Sequence, residues 1–134
     1  MLRNKASELG IASQIHFMGY ASDDDKQKLL NISDAFISTS QHEGFGIVYL
    51  EAMAAGLPVI CYDYGGQTDF LENGKTGFVL PLNDTETVFD ACNAIIEDNT
   101  LIQNIRKENS HRIESLYIDN CAKRYEEVFE SILN

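Results

Sequence analysis

The sequence has few cysteines and no regular cysteine spacing. Three cysteines, Cys61, Cys92 and Cys121, lie far apart in 134 residues. An odd number of distant cysteines fits neither a disulfide framework nor a metal-ligand pattern, so we expect reduced thiols in a cytoplasmic protein. Cys61 follows Val59 and Ile60 in an apolar run, and we predict that it is a small core residue.

Basic residues are also scarce. Ten lysines and arginines stand against 21 aspartates and glutamates, for a formal net charge of −11. Nucleic acids and anionic membrane surfaces are therefore poor partners for this chain. No apolar run approaches the roughly 18 residues that a membrane span needs, and we expect no signal peptide.

The chain does have enough apolar residues for a core. Hydrophobic residues make up 44% of the sequence, which fits one globular domain over residues 1–134 without repeats or an interdomain linker. Apolar strands alternate with helical segments, which predicts an α/β fold: a Rossmann-like parallel sheet with helices on both faces. The predicted strands are 15–18, 35–37, 58–62 and 76–80.

Helical periodicity predicts the other elements. Ser22 or Asp23 should cap a helix that runs to about Ile32, Asp84 or Thr85 the next long helix, and Asp119 the last one. We interpret the acids at 23–25 as favouring the helix dipole rather than binding a cation. Other predicted helices lie near 2–10 and 100–114. Two helices should turn the following residues inward: Val88, Phe89, Cys92, Ile95 and Ile96 in one, and Ala122, Tyr125, Val128, Phe129 and Ile132 in the other.

The most informative stretch is 38–60. It reads as a strand end, a glycine loop, a helix with almost no polar face, a tight turn and another strand. Gly44 and Gly46 allow a sharp turn and a close approach to a ligand, and the helix should begin near Gly46. Its first N–H groups would form an anion site. The turn at 63–68 is a second glycine loop at a strand's carboxyl edge, so both loops should share one mouth, where such folds bind ligands.

Two acids bracket this helix start. Glu51 lies in the second turn of an apolar helix, and it is either a buried acid satisfied by backbone N–H groups or a hydroxyl, or a functional carboxylate. Glu43 lies in the loop, where it is either an exposed loop acid or a second functional group. The Gly-x-Gly pattern alone is a weak phosphate-binding signal.

The combined motifs resemble a known family. Glu43-Gly44-Phe45-Gly46 followed by 51–60 looks like the Glu-x7-Glu region of retaining glycosyltransferases of family 4, and Gly65-Gly66 with 72–81 matches the family's next segment along the chain. The resemblance covers about residues 2–132. It implies that the chain is the truncated C-terminal, donor-binding half of a two-domain (GT-B) enzyme that transfers a sugar from a nucleoside diphosphate sugar to a glycan or lipid-linked acceptor.

The resemblance also implies residue roles. Glu51 would hold the ribose hydroxyls, and Glu43 would lie by the donor sugar and stabilise a cationic transition state. The backbone of Gly44, Phe45, Gly46 and Ile47 would meet the diphosphate and sugar. Gly19 and Tyr20 match the loop near the base. The resemblance implies no metal and no cofactor besides the donor substrate.

Several features depart from the family pattern. The acceptor domain and the start of the donor domain, with its diphosphate-binding cations, have no counterpart here, and the family favours Glu at the position of Asp69. Basic residues such as Arg3, Lys5, Lys26 and Lys28 do not stand in that cation motif. We therefore expect a fragment that is inactive alone and self-associates through an uncovered sheet edge. Through the missing domain the enzyme would work in the cytoplasm or at the inner face of the membrane.

Two alternatives remain open from the sequence. The scaffold also fits a sugar-nucleotide epimerase or a glycogen-synthase-like enzyme. It fits, too, a non-enzymatic α/β interaction module that has kept the scaffold, although both acids at motif spacing argue against this alternative.

Overall fold

Parallel strands form the sheet of this computed structural model, which describes residues 1–133. Within that range the sheet has three strands, β1 (Phe36–Ile37), β2 (Val59–Tyr62) and β3 (Gly77–Leu80), in the spatial order β1-β2-β3. Phe36 lies opposite Val59, and Val59 lies opposite Gly77. All three strands therefore end at the same edge, and the loops at their carboxyl ends are neighbours.

Helices connect and cover the strands. In the described part of the chain the α-helices are α1 (Leu2–Glu8), α2 (Asp23–Ile32), α3 (Ile47–Ala54), α4 (Thr85–Glu97), α5 (Asn99–Ser115) and α6 (Ile118–Leu133). Short 3₁₀ turns occupy Ala12–Gln14 and Gly66–Asp69. No helix among residues 1–133 is both long and apolar enough to cross a membrane.

The central strand β2 is buried along its whole length, because helices lie on both faces of the sheet. Val59 and Cys61 pack in one core cluster with residues of α2, α3 and α5, and Ile60 packs in a second cluster with α4. Successive strand residues point to opposite faces, so this alternation assigns the two helical layers. The predicted α/β architecture is confirmed.

Side-chain caps begin three of the helices. Ser22 Oγ accepts from Asp25 N at 3.2 Å, Asp84 Oδ1 from Thr87 N at 3.1 Å, and Asp98 Oδ1 from Leu101 N at 2.9 Å. Each bond satisfies an N–H group that has no partner inside its helix. The prediction for the last helix was wrong, since α6 begins at Ile118 and Asp119 lies within its first turn.

The predicted strand at 15–18 does not form. These residues are irregular, and Ile15 and Met18 are exposed. Phe17 instead lies under the Arg3 guanidinium, whose central carbon is 4.6 Å from the ring centroid. An apolar run becomes a strand only where a neighbouring strand offers a hydrogen-bonding edge, and β1 pairs only with β2 among the described residues.

The predicted inward faces of two helices are only partly correct. In α4, Val88, Cys92 and Ile95 pack against the core, but Phe89 and Ile96 are exposed. No residue of α6 up to Leu133 is buried, and the apolar side chains at 125, 128, 129 and 132 face solvent. Helical spacing identified a face but not what covers it.

Helix α5 anchors the turn after α3. The buried Asn109 donates from Nδ2 to the Leu57 carbonyl at 2.9 Å. Arg112 lies 3.5 Å from the Glu72 carboxylate, which Lys75 also approaches at 2.6 Å. The Asn109 bond ties α5 to the turn after α3, and the Arg112 contact ties α5 to the segment before β3.

Candidate functional site

Gly46 shapes the start of α3. It caps the helix with a φ of +85°, in the left-handed region that side chains disfavour. A Cβ at this position would overlap the Tyr49 ring and crowd Cγ of Glu43. The glycine is therefore required both by its backbone conformation and by its neighbours, and the predicted helix start is confirmed.

The second glycine loop packs directly against the first. Gly66 N donates to the Glu43 carbonyl at 3.0 Å, and Gly65 forms a parallel bridge with Glu43. A Cβ at Gly66 would overlap the Gly44 carbonyl oxygen. The prediction that both loops lie at one mouth is confirmed, and backbone contact holds them together.

The loop after β3 completes this edge. Gln41 donates from Nε2 to Asn83 Oδ1 at 2.8 Å, so the loops after β1 and β3 touch. Next to this bond an open recess of about 710 Å³ begins. Its lining residues are Pro81, Leu82, Asn83, Asp84, Thr85, Glu86 and Phe89.

The N-terminus of α3 offers backbone donors beside the glycine loop. The N–H groups of Ile47 and Val48 lie in the first turn, where a helix supplies them with no acceptor. The Phe45 ring rests on Phe70, with ring centroids 5.3 Å apart, while 51% of Phe45 and 66% of Ile47 remain exposed. The start of the helix is thus partly open to solvent, and helix N-termini of this kind are where proteins bind anions.

Glu43 is half-buried beside these donors. Its backbone carbonyl is engaged by the second glycine loop, but across residues 1–133 its carboxylate takes part in no ion pair or side-chain hydrogen bond. A carboxylate that the fold does not use is available to a ligand.

Glu51 is less enclosed than its apolar helix suggested. Its side chain is 31% exposed, and Oε1 lies 2.7 Å from Nζ of Lys26 in α2. Of the two alternatives that the sequence left open, the buried acid satisfied by backbone N–H groups or a hydroxyl does not fit, because the partner of Glu51 is a lysine. Only the Tyr49, Ala52 and Met53 side of α3 is buried. Glu51 instead borders an open recess of about 240 Å³ between α3 and the end of α5.

The ion pair with Glu51 also changes the lysine. This hydrogen bond raises the pKa of the Lys26 ammonium above 10.5, and burial offsets part of the increase. Asp23 Oδ1 lies 3.3 Å from the same Nζ and acts in the same direction. Lys26 therefore stays charged and links α2 to α3.

The core cluster next to this loop contains two buried titratable side chains, Tyr49 and Cys61. The Tyr49 hydroxyl donates to Ser38 Oγ at 3.1 Å, and desolvation raises the pKa of this phenol. Burial, with a contribution from Asp63, raises the pKa of the Cys61 thiol to about 12. Cys61 is 1% exposed, so the prediction that it is a core residue is confirmed. Both groups are neutral at physiological pH and act by packing.

Gly19 and Tyr20 lie in the loop before α2. Gly19 has a φ of +68°, and Tyr20 is 97% exposed. Among residues 1–133 the Tyr20 side chain makes no hydrogen bond or ring contact, so the structure does not join this loop directly to the α3 residues. No cluster of three or more His, Cys, Asp or Glu side chains in the same range could hold a metal ion.

The sequence matches a family model described as "Glycosyl transferases group 1" over residues 1–112. The chain belongs to this family. A similar protein is the N-acetyl-alpha-D-glucosaminyl L-malate synthase of Bacillus anthracis, 30% identical over 93% of this chain and 32% of that protein. Another is alpha-1,3/1,6-mannosyltransferase ALG2 of Dictyostelium discoideum, 39% identical over 72% of this chain and 23% of that protein. This family member thus spans about a third or less of the length of these relatives.

Solved structures of similar proteins share this fold. Anabaena HepE, whose structure contains UDP, superposes with a TM-score of 0.82 at 26% identity, over 97% of this chain and 36% of that one. HepE was also solved with UDP-glucose. Sucrose-phosphate synthase from Thermosynechococcus elongatus has a TM-score of 0.83 at 22% identity, over 98% of this chain and 33% of that one, which shows the fold alone. The family model and the two relatives favour membership of the glycosyltransferase family over the epimerase-like and non-enzymatic alternatives.

Sequence reasoning missed one residue of this site. By its position in the sequence, Lys26 is only a cation outside the expected diphosphate motif. It stands 25 positions from Glu51, and no local pattern links a lysine on one helix to an acid on another. Only the packing of α2 against α3 brings them together.

Proposed function

We propose that this chain is the donor-binding part of a longer, retaining glycosyltransferase of family 4 type, which transfers a sugar from a nucleoside diphosphate sugar. The observation that supports this most strongly is the loop at 43–46. It presents open helix N–H groups, and beside them is a carboxylate that the fold leaves without a partner among residues 1–133. The relatives are similar to this chain over only a fraction of their length, which supports a larger enzyme.

In this proposal the diphosphate lies at the N-terminus of α3. The N–H groups of Ile47 and Val48, with the backbone of 44–46, donate hydrogen bonds to the phosphate oxygens. These bonds strengthen as the bond between sugar C1 and the phosphate oxygen breaks and its electron pair passes to the leaving diphosphate. The structures of HepE with UDP and UDP-glucose support this class of ligand.

Glu43 acts on the sugar and Glu51 on the nucleoside. The transition state of glycosyl transfer resembles an oxocarbenium ion, so the unpaired charge of Glu43 stabilises it. The acceptor hydroxyl forms its new bond to C1 on the face that the diphosphate leaves, and its proton passes to the departing phosphate oxygen. Glu51 accepts hydrogen bonds from the ribose hydroxyls, and such charge-assisted bonds are the stronger kind. Gly19 and Tyr20 lie near the base.

We infer that the acceptor is a glycan or a lipid-linked acceptor bound outside this chain. Two relatives from Rhizobium meliloti are named for lipopolysaccharide core biosynthesis, at 33% and 28% identity. A nucleotide sugar donor implies reaction in the cytoplasm, with access to the inner face of the membrane through the rest of the enzyme. Neither a metal nor another cofactor is part of the proposal.

A nucleotide titration followed by amide NMR tests the donor site. UDP, GDP and ADP are each added to the 134-residue chain, because this method detects weak binding. We expect shifts at Gly44, Gly46 and Ile47, and Glu51→Gln should weaken binding about tenfold, since it loses a hydrogen bond to a charged group. The matched control is Glu97→Gln, an exposed acid on α4. Absence of shifts with every nucleotide would overturn the proposal.

The same chain tests whether the rest of the enzyme is needed. With a net charge of −11, these 134 residues should bind a diphosphate weakly and transfer no sugar by themselves. Detectable transfer from UDP-glucose to any acceptor would show that this part of the proposal is wrong.

We also expect some self-association through the outer edge of β1. A single monomeric peak in size-exclusion chromatography at high concentration would contradict this.

A further inference from the structure

We propose that Lys26 is a positioning residue of the donor site: it holds one oxygen of Glu51 so that the other is presented to the ribose. The inference rests on the proposed function, because it assigns a role around the nucleoside-binding acid. It concerns a lysine on α2, outside the glycine loop and outside the motif that carries the family resemblance.

Lys26 and Glu51 form a close ion pair. Nζ of Lys26 lies 2.7 Å from Glu51 Oε1 and 3.3 Å from Asp23 Oδ1, so the ammonium bridges two carboxylates. Its partner oxygen is fixed by a contact between two helices rather than by a neighbour on the same helix. Both side chains are about one-third exposed, at 36% for Lys26 and 31% for Glu51.

One oxygen of the Glu51 carboxylate remains free. Only Oε1 of Glu51 is engaged by a hydrogen bond in the described chain, and Oε2 accepts none. A ribose offers two neighbouring hydroxyl donors, and a carboxylate can accept several hydrogen bonds. The lysine therefore fixes the rotamer of Glu51 without using the oxygen that a hydroxyl needs.

Lys26 also has an electrostatic effect. The chain carries a net charge of −11, and an unpaired carboxylate at this place would add to its repulsion of an anionic ligand. Lys26 offsets the charge of Glu51 locally. This charge effect acts on the binding of the diphosphate, whereas the positioning of Glu51 acts on the binding of the ribose. The two effects can be separated because a nucleoside has the ribose and lacks the phosphates.

The matched control is on the same helix. Lys28 is 75% exposed and pairs with Asp25 at 3.5 Å, away from Glu51. Lys26→Met and Lys28→Met remove the same charge from α2, but only the first removes the support of Glu51. Lys26→Arg keeps a positive donor at the site and should restore most of the binding.

The experiment titrates the wild-type chain and these variants with UDP, GDP and ADP and with uridine, guanosine and adenosine, using amide NMR. For the nucleoside that binds, Lys26→Met should weaken affinity about two- to fivefold, the size expected when a partly exposed ion pair is lost. Lys28→Met should leave nucleoside affinity unchanged. Lys26→Met should lower the melting temperature slightly more than Lys28→Met, because it also removes the ion pair with Glu51. Titrating both variants well below their melting temperatures separates positioning from a loss of stability.

Three results would overturn the inference. If the wild type binds nucleosides and Lys26→Met binds them equally well, Lys26 does not position Glu51, while the proposed function stands. The same conclusion holds if both methionine variants weaken only the diphosphates. If the wild type responds to no nucleotide or nucleoside, the proposed function fails and this inference fails with it.

Discussion

Helices α3 and α6 both carry an apolar face, but the two faces differ in burial. In α3, Tyr49, Ala52 and Met53 are almost completely buried against the sheet, whereas no residue of α6 up to Leu133 is buried. The difference comes from what each helix packs against. Helix α3 contacts β2 and α5, while α6 contacts mainly α5. An apolar face guarantees burial only where the topology supplies a partner.

The largest expected effect comes from shortening a core side chain in α3. Met53→Ala should lower the free energy of unfolding by about 2–5 kcal/mol, because Met53 is fully buried and its removal leaves a cavity. The corresponding change in α6, Phe129→Ala, should alter it by less than about 0.5 kcal/mol, since Phe129 is 61% exposed. Urea denaturation measures both, and equal losses would show that α6 is packed as firmly as α3.

The next effect concerns the start of α3. Gly46→Ala should cost about 1–2 kcal/mol for the left-handed backbone alone, and more because the new Cβ meets Tyr49 and Glu43. Gly74→Ala is the control: its φ is +77° but nothing lies near the added Cβ. The difference between the two variants, again from urea denaturation, isolates the close approach. Equal losses of stability in the two variants would show that the strain of the left-handed backbone accounts for the whole effect.

A smaller effect depends on pH and on the contact between α2 and α3. Since Glu51 raises the pKa of Lys26, the pair stabilises the fold below 10.5, and this contribution is lost as the pH rises through the higher folded-state pKa. Glu51→Gln should show a smaller loss, because only Asp23 then raises the pKa of Lys26, and Glu97→Gln should retain the full loss. Melting curves over alkaline pH measure it, and identical profiles for all three proteins would argue against the ion pair.

The smallest effect on stability is expected at Glu43. Because the fold makes no use of its carboxylate within residues 1–133, Glu43→Gln should change the free energy of unfolding by less than about 0.5 kcal/mol. If the proposed role is correct, the same change in the longer enzyme should lower kcat far more than it lowers stability. A large loss of stability would show instead that Glu43 is a structural residue.

The sequence predicted best those features that depend on local chemistry. The strands β2 and β3, the helix after Gly46, and the capping residues Ser22 and Asp84 are determined by apolar runs, glycines and short polar side chains. In each case the determining neighbours lie within a few residues. The meeting of the two glycine loops was also predictable, because it depends only on parallel strands ending at one edge.

The features that the sequence could not predict depend on distant partners. The segment 15–18 has strand-like composition but no neighbouring strand to pair with among the described residues. The periodic residues Phe89, Tyr125 and Phe129 form helical faces that no described element covers. The partner of Glu51 was missed for the same reason, because Lys26 reaches it only after two helices have packed.

The parallel sheet has a consequence for how this chain folds. Phe36 pairs with Val59 and Val59 with Gly77, so no two of these strands can join through a tight hairpin. The intervening segments must first close as loops, which costs entropy before any pairing offsets it. Helix α3 shortens the first of these loops as it forms. The segment that carries the two acids is thus also the one whose early formation would speed assembly of the sheet.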